Sequence, residues 1–503
     1  MSESEPRRLL IWGGVFGVLA AVLLWSRLAG LHLSFWHDEV VTVLRYASQG
    51  PNAIFFSEYS PNNHVLFELI AWVTTRLFGE TEVVYRLWAV IPALAATAWL
   101  TWWMCRRFGH LASATLLLLI ALSPLLLDVS RQARGYGLAM LAMTGLITQG
   151  DAALTDPESR AIWGFALFGG IGVLTLPVFV LPYTLAALGL LFEPRLRARL
   201  LIGLVASGVV ALAWFFPMLG GIVERSSQQY GVKVPWHGFV TLSLSHLLFP
   251  IFGLLWPGVS DIARGTRTIV TLIWHGVSWA LFVMGALWLW RNGRGRLLGM
   301  LAVMTMGTYL VLAALGLWAV NRFLSYLSLP LFVSFALGIE NSVQILPKKG
   351  RRVALASLAG IAAWSLVNLY PVAVEMINVP IEATKDASEL ANASGADLVV
   401  TNSTRPDGFR YYLEISPTIM TASKLESLFC ADNGSSYVFI DHPFRAEKVD
   451  TSCLEEDDVF RVRLEQRGRG QLIDVWFVGL PEPSLAGGDR RLAESRSRTG
   501  PMT

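Results

Sequence analysis

Residues 9–39 read LLIWGGVFGVLAAVLLWSRLAGLHLSFWHDE, an apolar stretch followed by Trp36-His37-Asp38-Glu39. The part from Leu9 to Leu28 is long and apolar enough to cross a bilayer as one helix. It lacks a convincing small-residue cleavage site, so we interpret it as a retained first span and not as a signal peptide. Two adjacent carboxylates beside a histidine are costly at the mouth of a span. They indicate either chemistry at the lipid–water boundary or the cap of an interfacial helix.

The composition of the whole chain favours a helical membrane protein. The chain has 503 residues, of which 54% are hydrophobic and 15% are charged. A soluble domain carries roughly 25% charged residues, and apolar runs of about 18 to 22 residues recur along this chain. The net charge of +3 gives no reason to expect a nucleic-acid partner, and none is predicted, because the distribution of charge matters more than its sum.

About eleven apolar segments predict membrane spans in an all-α polytopic domain. The two segments that contain Pro177 and Pro182 are alternatively one broken helix. The predicted spans are 9–29, 83–105, 111–127, 135–150, 161–177, 178–193, 200–220, 268–290, 297–317, 323–341 and 352–372.

Basic residues in the loops predict the orientation. Five groups of them fall on one side of the predicted spans, which the positive-inside rule makes the cytoplasmic side. An odd number of spans then leaves the N-terminus in the cytoplasm and the C-terminal domain in the periplasm of a bacterial inner membrane. These residues are Arg7, Arg8, Arg106, Arg107, Arg195, Arg197, Arg199, Arg291, Arg294, Arg296, Lys348, Lys349, Arg351 and Arg352.

The region after the last predicted span has an ordinary mixed composition. We expect residues 1–372 to form the membrane domain and residues 373–480 to form a small α/β domain outside the membrane. Cys430 and Cys453 lie in this second domain, as either a disulfide or two separate thiols. Residues 481–503 are polar and are predicted to be disordered. Four stretches have the composition of β-strands: Asp397–Asn402, Tyr437–Asp441, Val459–Leu464 and Ile473–Val478.

With this topology, unusual polar residues collect on the outer side of the membrane. The first external loop, residues 30–82, is too long for a simple turn. It contains Trp36-His37-Asp38-Glu39, then Asn63 and His64, then the amphipathic stretch 65–78. Such a stretch is typical of a helix that lies in the interface plane.

Cations collect on the same predicted side. Arg131 and Arg134, three residues apart, are expected on one helical face, with Tyr136 close behind them. Arg86 and Arg322 lie at the mouths of other spans. Guanidinium groups fit a phosphate, which favours an anionic headgroup held beside the carboxylates. The alternative is that these arginines extend to ordinary lipid headgroups.

The loop between about residues 221 and 267 adds further candidates. Lys233 could contact a sugar or a phosphate, and Trp236 could stack on a sugar face, with Tyr230 nearby. Residues of these types are more often plain interface anchors. The apolar segment near 239–256 is interrupted by proline and is interpreted as interfacial.

The order of these motifs resembles the GT-C glycosyltransferases. The likeness is greatest to the group that holds lipid A aminoarabinose transferase, rhizobial galacturonosyltransferases and protein O-mannosyltransferases. It covers about residues 9–341 and is most specific in the first 140 residues. Many relatives carry His-Pro-Pro-Leu where this chain has His64-Val65-Leu66. The matching motifs are Trp36 to Glu39, Asn62-Asn63-His64, Phe78-Gly79, Arg86-Leu87, the element Arg131, Arg134 and Tyr136, and Arg322-Phe323.

The resemblance implies a sugar donor linked to a polyprenyl monophosphate, attacked by a hydroxyl of a lipid, glycan or protein acceptor. Asp38 is then the expected general base, positioned by Glu39 and His64, and such help is typically worth ~10²–10⁴-fold in rate. A single displacement inverts the anomeric carbon. The residues expected to hold the donor phosphate are Arg131, Arg134, Tyr136 and Arg322. Those expected to contact substrate are Trp36, Asn63, Arg86, Tyr230 and Lys233.

No cofactor is expected to be required, but a divalent cation near Asp38, Glu39 and His64 fits these ligand types. Two other functions are weighed. A transporter or flippase of lipid-linked sugars would carry ionisable residues at mid-membrane and internal repeats, and neither is visible in the sequence. A glycan ligase or polymerase that uses a lipid diphosphate would share the outer arginines without predicting the early Asp-Glu and His pattern.

Overall fold

The chain is described here by a computed structural model. Its described residues fall into two compact units, one of Met1–Ala29 with Gln49–Ala373 and one of Gly30–Ser48 with Val374–Thr503. The residues that the structure describes are 4–57, 60, 63–221, 264–315, 321–378, 384–403, 407–415, 417–430, 436–441, 449–454, 459–465, 472–478 and 480.

Helices dominate the described part of the chain. In chain order they are α1 (Ser4–Leu28), α2 (His37–Thr42), α3 (Pro51–Phe56), α4 (Val65–Phe78), α5 (Glu82–Phe108), α6 (His110–Leu122), α7 (Pro124–Val129), α8 (Tyr136–Thr155), α9 (Ala161–Thr175), α10 (Val180–Leu190), α11 (Arg197–Phe215), α12 (Arg264–Arg291), α13 (Gly295–Ala302), α14 (Thr308–Ala314), α15 (Ser328–Gln344), α16 (Lys348–Asn378), α17 (Thr384–Ala393), α18 (Asp407–Tyr412) and α19 (Ala422–Phe429).

Helix is present in every segment that was predicted to span the membrane. Around Pro177 the chain forms two helices, α9 and α10, joined by the short 3-10 turn Pro177–Phe179. The protein is a multi-pass membrane protein, and the count of eleven crossings stays a prediction. In the described residues, five helical segments are long and apolar enough to cross a bilayer: Leu10–Leu28, Glu82–Phe108, Arg197–Gly221, Gly295–Ala314 and Arg322–Gln344.

Helices α5 and α8 touch through their backbones, which fixes the start of α8. A Cβ atom added at Gly137 would lie 1.8 Å from the carbonyl oxygen of Ala89, so no side chain fits there. Small residues allow this close approach between membrane helices. The contact is next to Tyr136, one of the predicted site residues.

An ion-pair network lies near the other end of α8. The buried Asp151 carboxylate is 2.9 Å from Arg107 Nε and 2.9 Å from Arg294 Nη1. Trp103 Nε1 also donates to it, at 3.2 Å. Asp151 is about 22 Å along the helix axis from Tyr136. Two basic loops predicted to share a membrane face therefore meet at one carboxylate, far along α8 from the predicted site residues.

The second unit contains a five-stranded mixed sheet, which confirms the predicted C-terminal α/β region. The strand order is β2-β1-β3-β5-β4, with β1 parallel to β2 and β3, and β5 antiparallel to β3 and β4. The strand β2 has only two residues and was not predicted. The strands are β1 (Val399–Thr401), β2 (Thr418–Ile419), β3 (Tyr437–Asp441), β4 (Val459–Glu465) and β5 (Leu472–Val478).

Side chains alternate between the two faces of this sheet, as the pleat requires. Val438 and Ile440 pack in one apolar cluster with Phe409 of α18, while Phe439 packs in another with Phe429 of α19. Cys430 follows α19 directly and forms a disulfide with Cys453, with the two Cα atoms 5.3 Å apart. Of the two alternatives for these cysteines, the structure has the disulfide. The tail 481–503 lies outside the described residues.

The second unit also takes in Gly30–Ser48, which the sequence-based division had assigned to the membrane domain. Helix α2 lies in this segment and packs against α18. Phe35, just before α2, is fully buried, and its ring meets Tyr411 edge-on at 5.5 Å. The buried contact of Phe35 with Tyr411 is one reason that Gly30–Ser48 belongs to the same unit as the C-terminal domain.

Candidate functional site

The carboxylates Asp38 and Glu39 lie in the first turn of helix α2. Glu39 Oε2 accepts a hydrogen bond from the backbone N–H of Trp36 at 3.2 Å, an interaction that caps the helix. Thr42 Oγ1 donates to the carbonyl oxygen of Asp38 at 3.0 Å. Both carboxylates are buried, Asp38 to 9% exposure and Glu39 to 2%. The cap interpretation therefore describes Glu39, and the capping pair does not include the Asp38 carboxylate.

His64 begins helix α4, in the first unit. Its backbone N–H donates to Glu68 Oε1 at 2.8 Å, and its carbonyl oxygen accepts from the Glu68 N–H at 3.0 Å. This reciprocal pair closes the first turn of α4. Glu68 was not proposed from the sequence, because it stands in an apolar run that reads as one face of an interfacial helix. The available signal was a lone carboxylate four residues after the histidine.

The imidazole of His64 meets the guanidinium of Arg134. Arg134 Nε donates to His64 Nε2 at 3.1 Å, so the neutral ring carries its proton on Nδ1. Both side chains are fully buried. The Tyr136 ring lies edge-on to His64 at 5.3 Å, and the Arg134 guanidinium lies 5.0 Å from the Tyr136 ring centre. The sequence-predicted residues His64, Arg134 and Tyr136 are therefore in direct contact.

The next contact brings in Phe323 and Arg322. The Arg134 and Arg322 guanidinium groups lie 5.8 Å and 5.7 Å from the Phe323 ring centre, within cation–π range. Arg322 and Phe323 belong to the 3-10 turn Asn321–Leu327. The ring thus lies against two of the four residues predicted to hold a phosphate, and we call His64, Glu68, Arg134, Tyr136, Arg322 and Phe323 the arginine–histidine cluster.

Burial sets the protonation of this cluster. It lowers the pKa of His64 well below the ordinary value of 6.5, and the charges of Arg134 and Arg322 lower it further. Burial also raises the pKa of Glu68 well above 4.5, against the opposing effects of the His64 N–H and Arg134. At neutral pH the imidazole is therefore uncharged, and burial favours the protonated form of the Glu68 carboxyl.

Gly135 lets the backbone approach His64. A Cβ at this position would lie 2.4 Å from Cγ2 of Thr175 and 3.1 Å from His64 Nδ1. Thr175 is at the end of α9 and is fully buried. Glycine is the residue that fits between the imidazole and α9.

Arg131 and Arg134 do not share a helical face, contrary to the expectation from their spacing. The residues between α7 and α8 form turns and not a helix, and the two arginines donate to different partners. Arg131 Nη2 donates to the carbonyl oxygen of Ala29 at 2.6 Å. Arg27, which the sequence reading did not single out, is buried nearby in α1 and donates to the carbonyl oxygen of Ile120 at 2.9 Å. Arg131 thus fastens the end of the first span.

The remaining predicted residues have mixed positions. Asn63 is buried and its Nδ2 donates to the carbonyl oxygen of Ile54 at 3.0 Å, which braces the chain before α4. Arg86 is buried in the first turns of α5. Tyr230 and Lys233 lie outside the described residues.

The predicted site residues are divided between the two units. Trp36, Asp38 and Glu39 belong to the second unit, and His64, Arg134 and Arg322 belong to the first. Within the described ranges, no group of three or more His, Cys, Asp or Glu side chains is arranged to hold a metal ion. A divalent cation near Asp38, Glu39 and His64 stays a prediction.

The fold is similar to that of ArnT from Cupriavidus metallidurans. Against the apo crystal structure the TM-score is 0.54 at 13% identity, over 97% of this chain and 100% of that chain. Against the structure bound to undecaprenyl phosphate it is 0.55 at 14% identity, over 95% and 99%. This likeness confirms the GT-C fold that the sequence motifs implied.

A weaker likeness links the chain to the archaeal oligosaccharyltransferase AglB from Archaeoglobus fulgidus, solved with an inhibitory peptide and a dolichol-phosphate. The TM-score is 0.47 at 13% identity, over 94% of this chain and 74% of that chain. No protein-family model matches the chain, and no curated protein matches it by sequence.

Proposed function

We propose that this protein is a membrane glycosyltransferase that moves a sugar from a polyprenyl monophosphate to a hydroxyl group of a lipid, glycan or protein acceptor. The observation that carries the proposal is the contact of Arg134 with an uncharged, buried imidazole. The fold that the chain shares with a protein solved bound to undecaprenyl phosphate is the second support.

The arginine–histidine cluster suits a phosphate for an electrostatic reason. His64 accepts from Arg134 at Nε2 and contributes no charge of its own, because its pKa is depressed. Arg134 and Arg322 then act as fixed cations in a buried setting, where charge–charge interactions are stronger than in water. Fixed donors that meet charge as it develops on a leaving phosphate lower the barrier to its departure. We assign donor-phosphate binding to Arg134 and Arg322, with Arg131 and Tyr136 as further contacts.

The acceptor hydroxyl needs a base, and we assign that role to Asp38. The assignment follows the family resemblance of the Trp36 to Glu39 motif, in which Glu39 is the carboxylate that caps α2. In the proposed reaction the acceptor oxygen attacks the anomeric carbon while the carboxylate takes its proton. The bond between that carbon and the phosphate oxygen breaks, the polyprenyl phosphate leaves, and the configuration inverts.

Other residues complete the proposal. Trp36, Asn63, Arg86, Tyr230 and Lys233 are assigned to substrate contacts on the strength of the family resemblance. The donor is an amphiphile that stays in the bilayer, so the reaction belongs at the membrane surface. We assign it to the outer face of a bacterial inner membrane, from the distribution of basic loops.

The test is a product analysis with purified protein in lipid vesicles. Polyprenyl-monophosphate sugars of several kinds are supplied with a candidate acceptor extract, and the Asp38→Asn variant serves as the inactive control. Release of free polyprenyl monophosphate together with a glycosylated acceptor supports the proposal. Release of a diphosphate from diphosphate donors would identify a ligase or polymerase instead. Movement of an intact donor across the vesicle, without cleavage, would identify a flippase.

A further inference from the structure

Phe35, three residues before Asp38, is tied to the C-terminal domain through both its backbone and its ring. Its backbone N–H donates to the hydroxyl oxygen of Tyr412 at 2.7 Å. Its carbonyl oxygen accepts from Thr384 Oγ1 at 3.5 Å, and its fully buried ring lies against Tyr411. Both peptide groups of Phe35 and its side chain are thus held by residues more than 300 positions away in the chain.

The holding residues are themselves fixed. Tyr411 and Tyr412 end helix α18, and their rings meet at 4.8 Å, almost perpendicular to each other. Asn392 Nδ2 donates to the carbonyl oxygen of Tyr412 at 2.9 Å, and Lys385 Nζ lies 6.0 Å from its ring centre. On the same helix, Phe409 is buried in the core of the sheet domain. Helix α18, which ends at Tyr412, is thus attached to that core.

Phe35 controls where α2 begins. It directly precedes Trp36, the N-cap, and the capping bond from Glu39 closes on that same residue. Asp38 is two residues further on, in the first turn. The α-helical part has six residues and runs on into the π-helical segment Val43–Ala47, and a helix this short depends in part on contacts outside itself to hold its start. The anchor at Phe35 therefore helps to set the backbone position from which the Asp38 side chain extends.

We infer that Tyr412 is a positioning residue for Asp38, and that the C-terminal domain is a working part of the transferase because it holds the base in place. This inference rests on the proposed function for the role of Asp38. The hydroxyl of Tyr412 touches neither substrate nor the reacting atoms. It acts through the Phe35 amide and the start of α2. A misplacement of a reacting group by about 1 Å costs about 100-fold in rate.

The deciding variant is Tyr412→Phe, which removes one oxygen and keeps the ring against Lys385 and Tyr411. The matched control is Tyr437→Phe, the same change at a buried tyrosine of β3 that packs against Phe429 in the same domain. We expect Tyr412→Phe to lower kcat by about 10- to 100-fold with an unchanged KM for the donor. In an Asp38→Asn background it should have no further effect, since it acts through Asp38. Tyr437→Phe should leave kcat as in the wild type.

Hydrogen–deuterium exchange separates this inference from the proposed function. Peptides covering residues 35–42 should exchange faster in Tyr412→Phe than in the wild type or in Tyr437→Phe. Unchanged exchange, or an equal loss of kcat in both tyrosine variants, would overturn the inference even if the wild type transfers sugar. Faster exchange in a protein that transfers no sugar would reject the proposed function, and with it the catalytic role of the anchor.

Discussion

The two groups of predicted site residues are held in different ways. Asp38 and Glu39 stand in the first turn of helix α2, just after Phe35, which bonds to the C-terminal domain through its backbone and its ring. His64 and Arg134 are fully buried among helices of the first unit, and their contacts are electrostatic. The first arrangement keeps a carboxylate in place through the chain around it. The second arrangement holds the charge of Arg134 at a buried site, where a substitution costs free energy of folding.

The largest predicted effect on donor binding comes from removing the cation of the first unit. Arg134→Ala leaves His64 Nε2 without its donor and takes one fixed charge from the proposed phosphate site. Charge-assisted hydrogen bonds contribute about 1.5–3 kcal/mol, so the KM for the donor should rise about 10- to 150-fold. Initial rates over a range of donor concentrations would measure this. Arg134→Lys keeps the charge and loses the planar fork, so its KM for the donor should lie between that of the wild type and that of Arg134→Ala. An unchanged KM in Arg134→Ala would remove Arg134 from phosphate binding.

A smaller effect should follow from crowding the imidazole. Gly135→Ala adds a Cβ that would lie 2.4 Å from Thr175 Cγ2 and 3.1 Å from His64 Nδ1. Overpacking typically costs 1–3 kcal/mol, so Tm should fall and the donor KM should rise about 10-fold. The double variant Gly135→Ala/Thr175→Ser removes the clashing methyl group and keeps the hydroxyl, and it should recover much of the loss. Equal defects in the single and double variants would show that Thr175 is not the obstacle.

The shifted pKa values of His64 and Glu68 predict two opposite slopes, or limbs, in a plot of stability against pH. Unfolded His64 takes up a proton below about pH 6.5, while the folded form, with its lowered pKa, resists it. Stability should therefore fall as the pH drops below 6.5, and His64→Gln should flatten this limb. Unfolded Glu68 loses its proton above about pH 4.5, while the folded form, with its raised pKa, keeps it. Its contribution should fall as the pH rises above 4.5, and Glu68→Gln should flatten that limb.

Thermal melting of the purified variants between pH 4.5 and 8, compared with the wild type, checks both signs. A His64→Gln curve parallel to the wild type on the acid side would mean that the folded imidazole titrates normally. A Glu68→Gln curve parallel to the wild type as the pH rises above 4.5 would mean that the carboxyl is ionised in the folded protein.

The smallest effect on donor use should come from the disulfide of the second unit. Replacing Cys430 and Cys453 together by serine opens a link between residues 23 positions apart and should cost roughly 3 kcal/mol of stability. The C-terminal domain should melt earlier, and the donor KM should stay at the wild-type value because no residue of the arginine–histidine cluster lies in this unit. A raised KM would mean that the units are not separate in donor binding.

Much of the fold was predictable because membrane helices depend on apolar runs. The Leu9–Leu28 run and its successors marked helices that the structure contains, and strand composition located β3 at Tyr437–Asp441. Of the site, the sequence identified His64, Arg134 and Tyr136, which are in contact. It did not identify Glu68, since a lone carboxylate in an apolar run resembles the polar face of an interfacial helix.

Other features depended on tertiary contacts that local pattern does not encode. The spacing of Arg131 and Arg134 suggested one helical face, but turns separate α7 from α8 and the two side chains donate to different partners. The assignment of Gly30–Ser48 to the second unit depends on Phe35 meeting Tyr411 and Tyr412, far away in sequence. A single sequence carries no sign of such a pairing.

The central claim is that Asp38 is the base while the cations of the first unit bind the donor. The direct measurement is single-turnover transfer by Asp38→Asn at saturating donor, with the donor dissociation constant measured on the same preparation. We predict a rate lowered by ~10²–10⁴-fold and an unchanged dissociation constant. Transfer at the wild-type rate, or a loss of activity explained entirely by weaker donor binding, would contradict the claim.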